Sequence, residues 1–314
     1  MKRFIVKSAI FVLILWIACD VLALRLDAVF REDRSNKEAW VLSQHARSVD
    51  YAIAGSSRAF NIIDATTLAR ETGHPALNLA YGGQSIMDMY LTLHLFLAHE
   101  NRIGTLLLQI DGSDLDYSHE FLAHLYLPYV NDPEVAHTIR EVRGLKRYIA
   151  MKSFPLAKYW EYNDFYDFRR FEKARSGVST YDSSAGSELL YDDNYHVFPA
   201  NLGDPNFVVD RRSVQYLDRI YQLTRSRDIR LILFSAPQYH PDAFNHYDEA
   251  SRAYILGYCQ ERSIPYLDFS QAHFDQSEFR DYGHLNGRGA LRFTSMLADS
   301  VEARRSTTLP ERGR

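Results

Sequence analysis

Five short apolar runs set the strongest constraint on this chain: residues 51–54, 76–80, 105–110, 230–234 and 264–269. Turn-forming or small residues end them, and stretches compatible with helix lie between them. The run 105–110 is almost unbroken in Leu and Ile, the composition of a strand covered on both faces of a parallel sheet. Between the runs, Asp64 offers a helix N-cap and Gly73 a stop. The segment 84–99 is apolar on nearly every face and is expected to be a buried helix, which makes His94 a core residue. Further helices are expected at about 213–225, 248–262 and 288–302. Strand and helix alternating five times predicts a single doubly wound α/β domain, spanning 49–303, on a five-stranded parallel sheet, with a loose Arg-rich tail at 304–314.

One stretch breaks this rhythm. Residues 115–210 show no strand–helix alternation, yet they carry 10 of the 21 Tyr and 7 of the 18 Phe together with Trp160. They are expected to form an aromatic insertion folded as a cap over the α/β domain. The rest of the composition serves mainly to exclude. A net charge of -4 without a dense Lys/Arg stripe gives a nucleic-acid backbone nothing to hold. Two Cys, Cys19 and Cys259, cannot frame a disulfide scaffold. No Cys, His and carboxylate set has metal-ligand spacing, so neither metal nor cofactor is expected.

The N-terminus reads Met1-Lys2-Arg3, then an apolar stretch with an unbroken core from Ala9 to Cys19. Counted from Phe4 to Leu24 it makes a helix of about 31 Å, long enough to cross a bilayer core. A single transmembrane anchor over 1–24 is the first reading, followed by a juxtamembrane helix or linker over 25–48. A signal peptide cleaved after Val21-Leu22-Ala23, or acylation at Cys19, competes with it. Basic residues flank the run on both sides, Lys2, Arg3 and Lys7 before it and Arg25, Arg31, Arg34 and Lys37 after it. The short basic head favours a single pass through the inner membrane, with the body on the periplasmic or extracellular side.

In open α/β sheets reactive groups gather at the carboxyl ends of the strands. There the sequence places Gly55-Ser56-Ser57-Arg58 after the first strand and Gly82-Gly83 after the second. Asp111-Gly112-Ser113-Asp114 follow the third, Pro237-Gln238-Tyr239-His240 the fourth, and Asp281-Tyr282-Gly283-His284-Leu285-Asn286 precede the last helix. A Ser nucleophile, a His base, a carboxylate to orient it and backbone N–H groups for an oxyanion are all available. Ser57 is the preferred nucleophile, Ser56 the alternative. Tyr239 and His240 are candidates for touching substrate.

Gly55-Ser56-Ser57, Gly83 and Asp281-x-x-His284, in this order, resemble motif blocks of the SGNH/GDSL hydrolases, a flavodoxin-like α/β family. The anchor, the Gly-Ser-Ser variant, the Asp-x-x-His-Leu-Asn ending and the insertion resemble its membrane-anchored branch, which includes proteins of alginate O-acetylation and teichoic-acid D-alanylation. The resemblance spans about residues 50–302. It implies Ser57, His284 and Asp281 as a triad, with Ser57, Gly83 and Ser113 at the oxyanion. It implies an acylated sugar or polysaccharide as substrate, esterase or O-acyltransferase activity, and a membrane O-acyltransferase as partner. The alternative is a non-catalytic carbohydrate-binding or assembly subunit of an envelope machine. The third block departs from the family's Gly-x-Asn-Asp: here Asp111 replaces the Gly and Ser113 the donor Asn, and a carboxylate facing an oxyanion would repel it.

Overall fold

The computed structural model describes residues 1–116, 120–179, 181–191, 206–239 and 245–306. In chain order, α1 (Lys2–Arg31) and α2 (Lys37–Leu42) precede β1 (Ser48–Ala54). Next come α3 (Ser57–Ile62), α4 (Ala65–Thr72), β2 (Ala76–Asn78), α5 (Ile86–Ala98), β3 (Arg102–Gln109) and α6 (Gly112–Leu115). Then follow α7 (Pro133–Arg143), α8 (Leu145–Ser153), α9 (Ala157–Glu161), α10 (Phe168–Ser176) and α11 (Arg211–Ser226). The chain closes with β4 (Arg230–Ser235), α12 (Asn245–Arg262), β5 (Tyr266–Asp268) and α13 (Gly287–Ser306). These elements divide into two compact units: Gln44–Phe121 with Tyr181–Arg314, and Met1–Ser43 with Leu122–Thr180.

In the first unit the five strands pair in parallel in the order β2-β1-β3-β4-β5, the doubly wound α/β arrangement read from the alternation. Register sets Tyr51 beside Ala76 on one side and Thr105 on the other. Side chains alternate between the faces of a strand. Tyr51, Ile53, Leu107, Ile232 and Phe234 therefore share one core with Leu68 of α4 and Phe293 and Leu297 of α13. On α5, Tyr90 meets Tyr216 of α11 edge-on at 5.7 Å. Asp64 caps α4 by accepting from the Thr67 N–H at 3.0 Å, and Gly73 ends it in the left-handed region. His94, expected in the core, is partly exposed and lies on the Tyr90 ring.

Some boundaries differ from the sequence reading. β2 stops at Asn78, whose side-chain amide donates to the carbonyls of Ala59 and Ile63 at 2.9 and 3.1 Å. The expected linker over 25–48 is helical as far as Arg31 and again over α2, and α13 runs on to Ser306. The aromatic stretch 115–210 also divides: Leu122–Thr180 joins the N-terminal unit, whereas 181–191 pack in the α/β unit.

In the N-terminal unit, α1 is exposed over its apolar first half and buries Ala23, Asp27 and Phe30 in its second. It is the one helix, among the described residues, that is long and apolar enough to cross a membrane. Phe30 meets the rings of Tyr159 and Tyr166 at 5.4 and 4.6 Å. Within this cluster Asp27 pairs with Lys158 at 2.6 Å and accepts from the Tyr159 hydroxyl. Burial pushes the Lys158 ammonium down, and the Asp27 carboxylate opposes that fall. Burying two charges is costly unless they meet, so each makes the other tolerable.

Candidate active site

Gly55 ends β1, and its place beside Gln109 admits no side chain. A Cβ there would lie 2.6 Å from the Ala59 Cβ and 2.9 Å from that of Gln109. The backbone therefore turns sharply from strand to helix and sets Ser57 as the first residue of α3. N–H groups in a first helical turn have no intrahelical acceptor, which leaves that of Ser57 open to an incoming oxyanion. Ser56, the alternative nucleophile, turns inward; it is buried and its hydroxyl lies 3.3 Å from Gln109 Oε1.

Much later in the chain an isolated bridge between Phe279 and Leu285 pinches residues 280–284 into a tight loop. Asp281 Oδ1 accepts the backbone N–H groups of Gly283 and His284, both at 2.9 Å, and lies 2.9 Å from His284 Nδ1. The opposite ring nitrogen, Nε2, lies 2.8 Å from Ser57 Oγ. With the Nδ1 proton held by the carboxylate, Nε2 is left to accept from the serine. Burial works to raise the Asp281 carboxyl, but the hydrogen bond from His284, the attraction of its ring and the two backbone N–H groups outweigh it. The result lies below the ordinary carboxylate range.

The third block differs most from expectation. The Asp111 carboxylate is held by Arg58, the residue after Ser57, and by Gln109 Nε2 at 2.5 Å. Arg58 is buried. Its Nε donates to the Gly283 carbonyl at 3.0 Å and its Nη2 to those of Ala236 and Pro237 at 2.8 and 2.7 Å. One guanidinium thus ties together the turns after β1, β3 and β4 and the Asp281–His284 loop. Asp114 accepts the Asp111 N–H at 2.8 Å, and burial, aided by the Asp111 charge, pushes its carboxyl well above the ordinary range. The expected repulsion of an oxyanion is thereby weakened, since one carboxylate is paired and the other favours its neutral form.

The remaining candidates occupy the same carboxyl edge. Gly83, exposed and at φ +77°, lies in the turn after β2, where a Cβ would be strained. Ser113 is half-buried in α6, directly after β3. The Tyr239 N–H donates to the Tyr282 carbonyl at 3.0 Å and its ring lies 5.5 Å from that of Phe279, which puts it beside the Asp281–His284 loop. His240 lies outside the described residues. No group of three or more His, Cys, Asp or Glu able to hold a metal occurs among the described residues.

The sequence reading missed two features. Arg58 was legible only as a charged residue after a turn, and its partners come from three distant segments. Tyr191, at the end of the 181–191 limb, presses its ring against Gly287 so closely that a Cβ there would lie 2.7 Å away. Tyr191 is 76% exposed, and Gly287 lies three residues after His284, so the ring is an aromatic surface next to the Asp281–His284 loop.

No family model and no curated protein sequence matches the chain. Among solved structures it is similar to a family 3 carbohydrate esterase from Clostridium thermocellum, with 12% identity, 84% of this chain and 100% of that one covered, and a TM-score of 0.41. It is also similar to a GDSL-like lipase from Bacteroides thetaiotaomicron, at 9%, 82% and 89%, and 0.38. A third is an acetyl xylan esterase, at 11%, 81% and 98%, and 0.39. At this level of likeness nothing about the reaction carries across from them.

Proposed function

We propose that the protein is a membrane-anchored serine enzyme of the SGNH type that acts on acyl esters of a polysaccharide outside the cytoplasm. The observation that carries the reading is the run of contacts from Ser57 Oγ through His284 to Asp281, 2.8 Å and 2.9 Å long. As Ser57 Oγ attacks the acyl carbonyl, His284 Nε2 takes its proton and Asp281 stabilises the imidazolium. The carbonyl oxygen becomes an oxyanion facing the N–H groups of Ser57 and Gly83 and the Ser113 hydroxyl. Collapse breaks the ester C–O bond, and the leaving alcohol takes the proton from His284. The acyl-enzyme then passes its group to water or to a sugar hydroxyl, which His284 deprotonates in turn.

Tyr191, exposed, and Tyr239, partly buried, suit a sugar ring, offering a flat apolar face with a polar edge. Helix α1 serves as the anchor: a single pass through the inner membrane with the catalytic unit outside. A membrane O-acyltransferase that brings the acyl group across would then be the natural donor.

Exposing the full chain to a fluorophosphonate tests the chemistry. Wild type should be labelled covalently, whereas Ser57→Ala and His284→Ala should not. An unlabelled, folded wild type would sink the reading and favour a non-catalytic carbohydrate-binding subunit. Partition of the acyl group between water and an added glycan tells hydrolysis from transfer.

A further inference from the structure

Within the N-terminal unit, α8 buries Met151 and carries other apolar side chains on the outside. Leu145 and Ile149, one helical turn apart, are 59% and 51% exposed, and Phe154, just past the helix end, is 66% exposed. Lys146 borders that stripe and Lys152 stands in its row, one turn past Ile149; both are exposed, Lys152 also donates to Asn131 Oδ1, and the third basic residue of α8, Arg147, pairs with Glu161 at 2.6 Å. Trp160, one short helix further on, is 82% exposed.

What makes this more than a scatter of surface apolar residues is its tie to α1. Trp16 Nε1 donates to the Ser153 carbonyl at 3.1 Å. That carbonyl belongs to the last turn of α8, where no intrahelical donor exists for it. Trp16 stands about 18 Å along α1 from Phe4, and a bilayer core of about 30 Å entered at Phe4 ends near Leu24. Whatever is hydrogen-bonded to Trp16 therefore lies within the outer half of that core or at its boundary. A segment forced to that depth should be apolar, with satisfied backbone groups and cations able to reach back to the headgroups. Ile149, Phe154, Lys146 and Lys152 meet those terms, and Trp16 gives a donor to one of the carbonyls that the end of α8 leaves open.

We propose that the 145–160 stretch is a membrane foot: α8 and Phe154 enter the outer leaflet beside α1, and Lys146 and Lys152 hold anionic lipid headgroups. Trp160 sits at the headgroup level. This rests on α1 being a retained anchor. The occupant of the exposed face is lipid, because Phe154 directly follows Ser153, which is bonded to Trp16 in the exposed apolar half of α1, and because the charge of α8 is opposite to that of an anionic leaflet.

Spin labels on the full chain, with Cys19 and Cys259 replaced by Ala, test it in phosphatidylethanolamine–phosphatidylglycerol vesicles. Labels are placed singly at Ile149→Cys, Phe154→Cys, Val12→Cys as the anchor control and Glu261→Cys as the aqueous control. Labels at 149 and 154 should be relaxed by oxygen more than by a water-soluble nickel complex, as at 12 and unlike 261. Lys146→Glu with Lys152→Glu should move both labels toward water in these vesicles and much less in phosphatidylcholine alone. If 12 reads as lipid while 149 and 154 read as water, the foot is overturned and the anchor stands. If 149 and 154 are shielded from both reagents, a protein covers the face and the foot is likewise overturned. If 12 itself reads as water, the anchor falls and the foot with it.

Discussion

Two buried ion pairs, one in each unit, make a useful comparison. Arg58–Asp111 in the α/β unit has side chains 9% and 5% exposed, and Lys158–Asp27 in the N-terminal unit has them 2% and 5% exposed. Their surroundings differ. Arg58 spends its donors on three backbone carbonyls besides Asp111, so its charge is spread over the strand ends that frame the site. Lys158 has Asp27 and the Leu127 carbonyl within a wall of aromatic rings. The planar guanidinium organises the strand ends around the site, while the ammonium on α9 joins α1 to the 3-10 turn Ala123–Tyr129. The first pair can thus shape chemistry; the second shapes the packing of α1.

The largest expected effect lies at the site itself. Ser57→Ala should cut ester turnover by about 10⁶-fold, to the level of background, measured as kcat on a soluble acetyl ester. Asp281→Asn should cost about 10⁴-fold in kcat, because the amide no longer holds the His284 tautomer that accepts from serine. Survival of turnover in either variant would remove the residue from the mechanism.

Next come the two pairs themselves. Arg58→Met strands the Asp111 charge and Lys158→Met that of Asp27, each costing about 3–5 kcal/mol of stability in denaturant unfolding. The kinetics should separate them: Arg58→Met lowers kcat in the fraction that remains folded, whereas Lys158→Met leaves kcat on a soluble ester unchanged. Equal kcat in the two variants would break the comparison. Replacing both partners, Asp27→Leu with Lys158→Met, should recover most of the loss, since matched apolar groups need no pairing.

The smallest effect is one of pH. The Asp281 carboxyl lies below its ordinary value of 3.8 in the folded chain, so its bonds add stability above that value. That stability is lost as pH falls through the lowered folded value. The stability gap between wild type and Asp281→Asn should therefore be full near neutrality and narrow only in acid. A gap that stayed constant down to strong acid would show that the carboxylate's charge is not what these bonds hold.

Much of the α/β unit was legible in the chain because parallel strands covered on both faces must be apolar and short, and helix caps act locally. Leu106, Leu107 and Leu108 announced β3, and Asp64 and Gly73 bounded α4 to the residue. Asp281, His284 and the Ser56-Ser57 pair could be picked out as candidates because their types and order are informative without coordinates, with Ser57 preferred and Ser56 left as the alternative. Arg58 could not, since its role depends on Gly283, Ala236, Pro237 and Asp111 arriving at one point. Nor could the partner of Tyr159 and Tyr166, two rings of the expected insertion that both meet Phe30, a residue far earlier in the chain.

Sequence alone therefore determined the local and the periodic: five buried strands, the helices between them, a bilayer-length apolar helix and the residue types of a serine site. Tertiary structure alone decided which serine meets the histidine, which cation answers Asp111 and where the aromatic residues go. These are contacts between segments up to 227 residues apart. Side-chain chemistry permits many such pairings, and only the packing of the whole core brings one set of partners within hydrogen-bond reach.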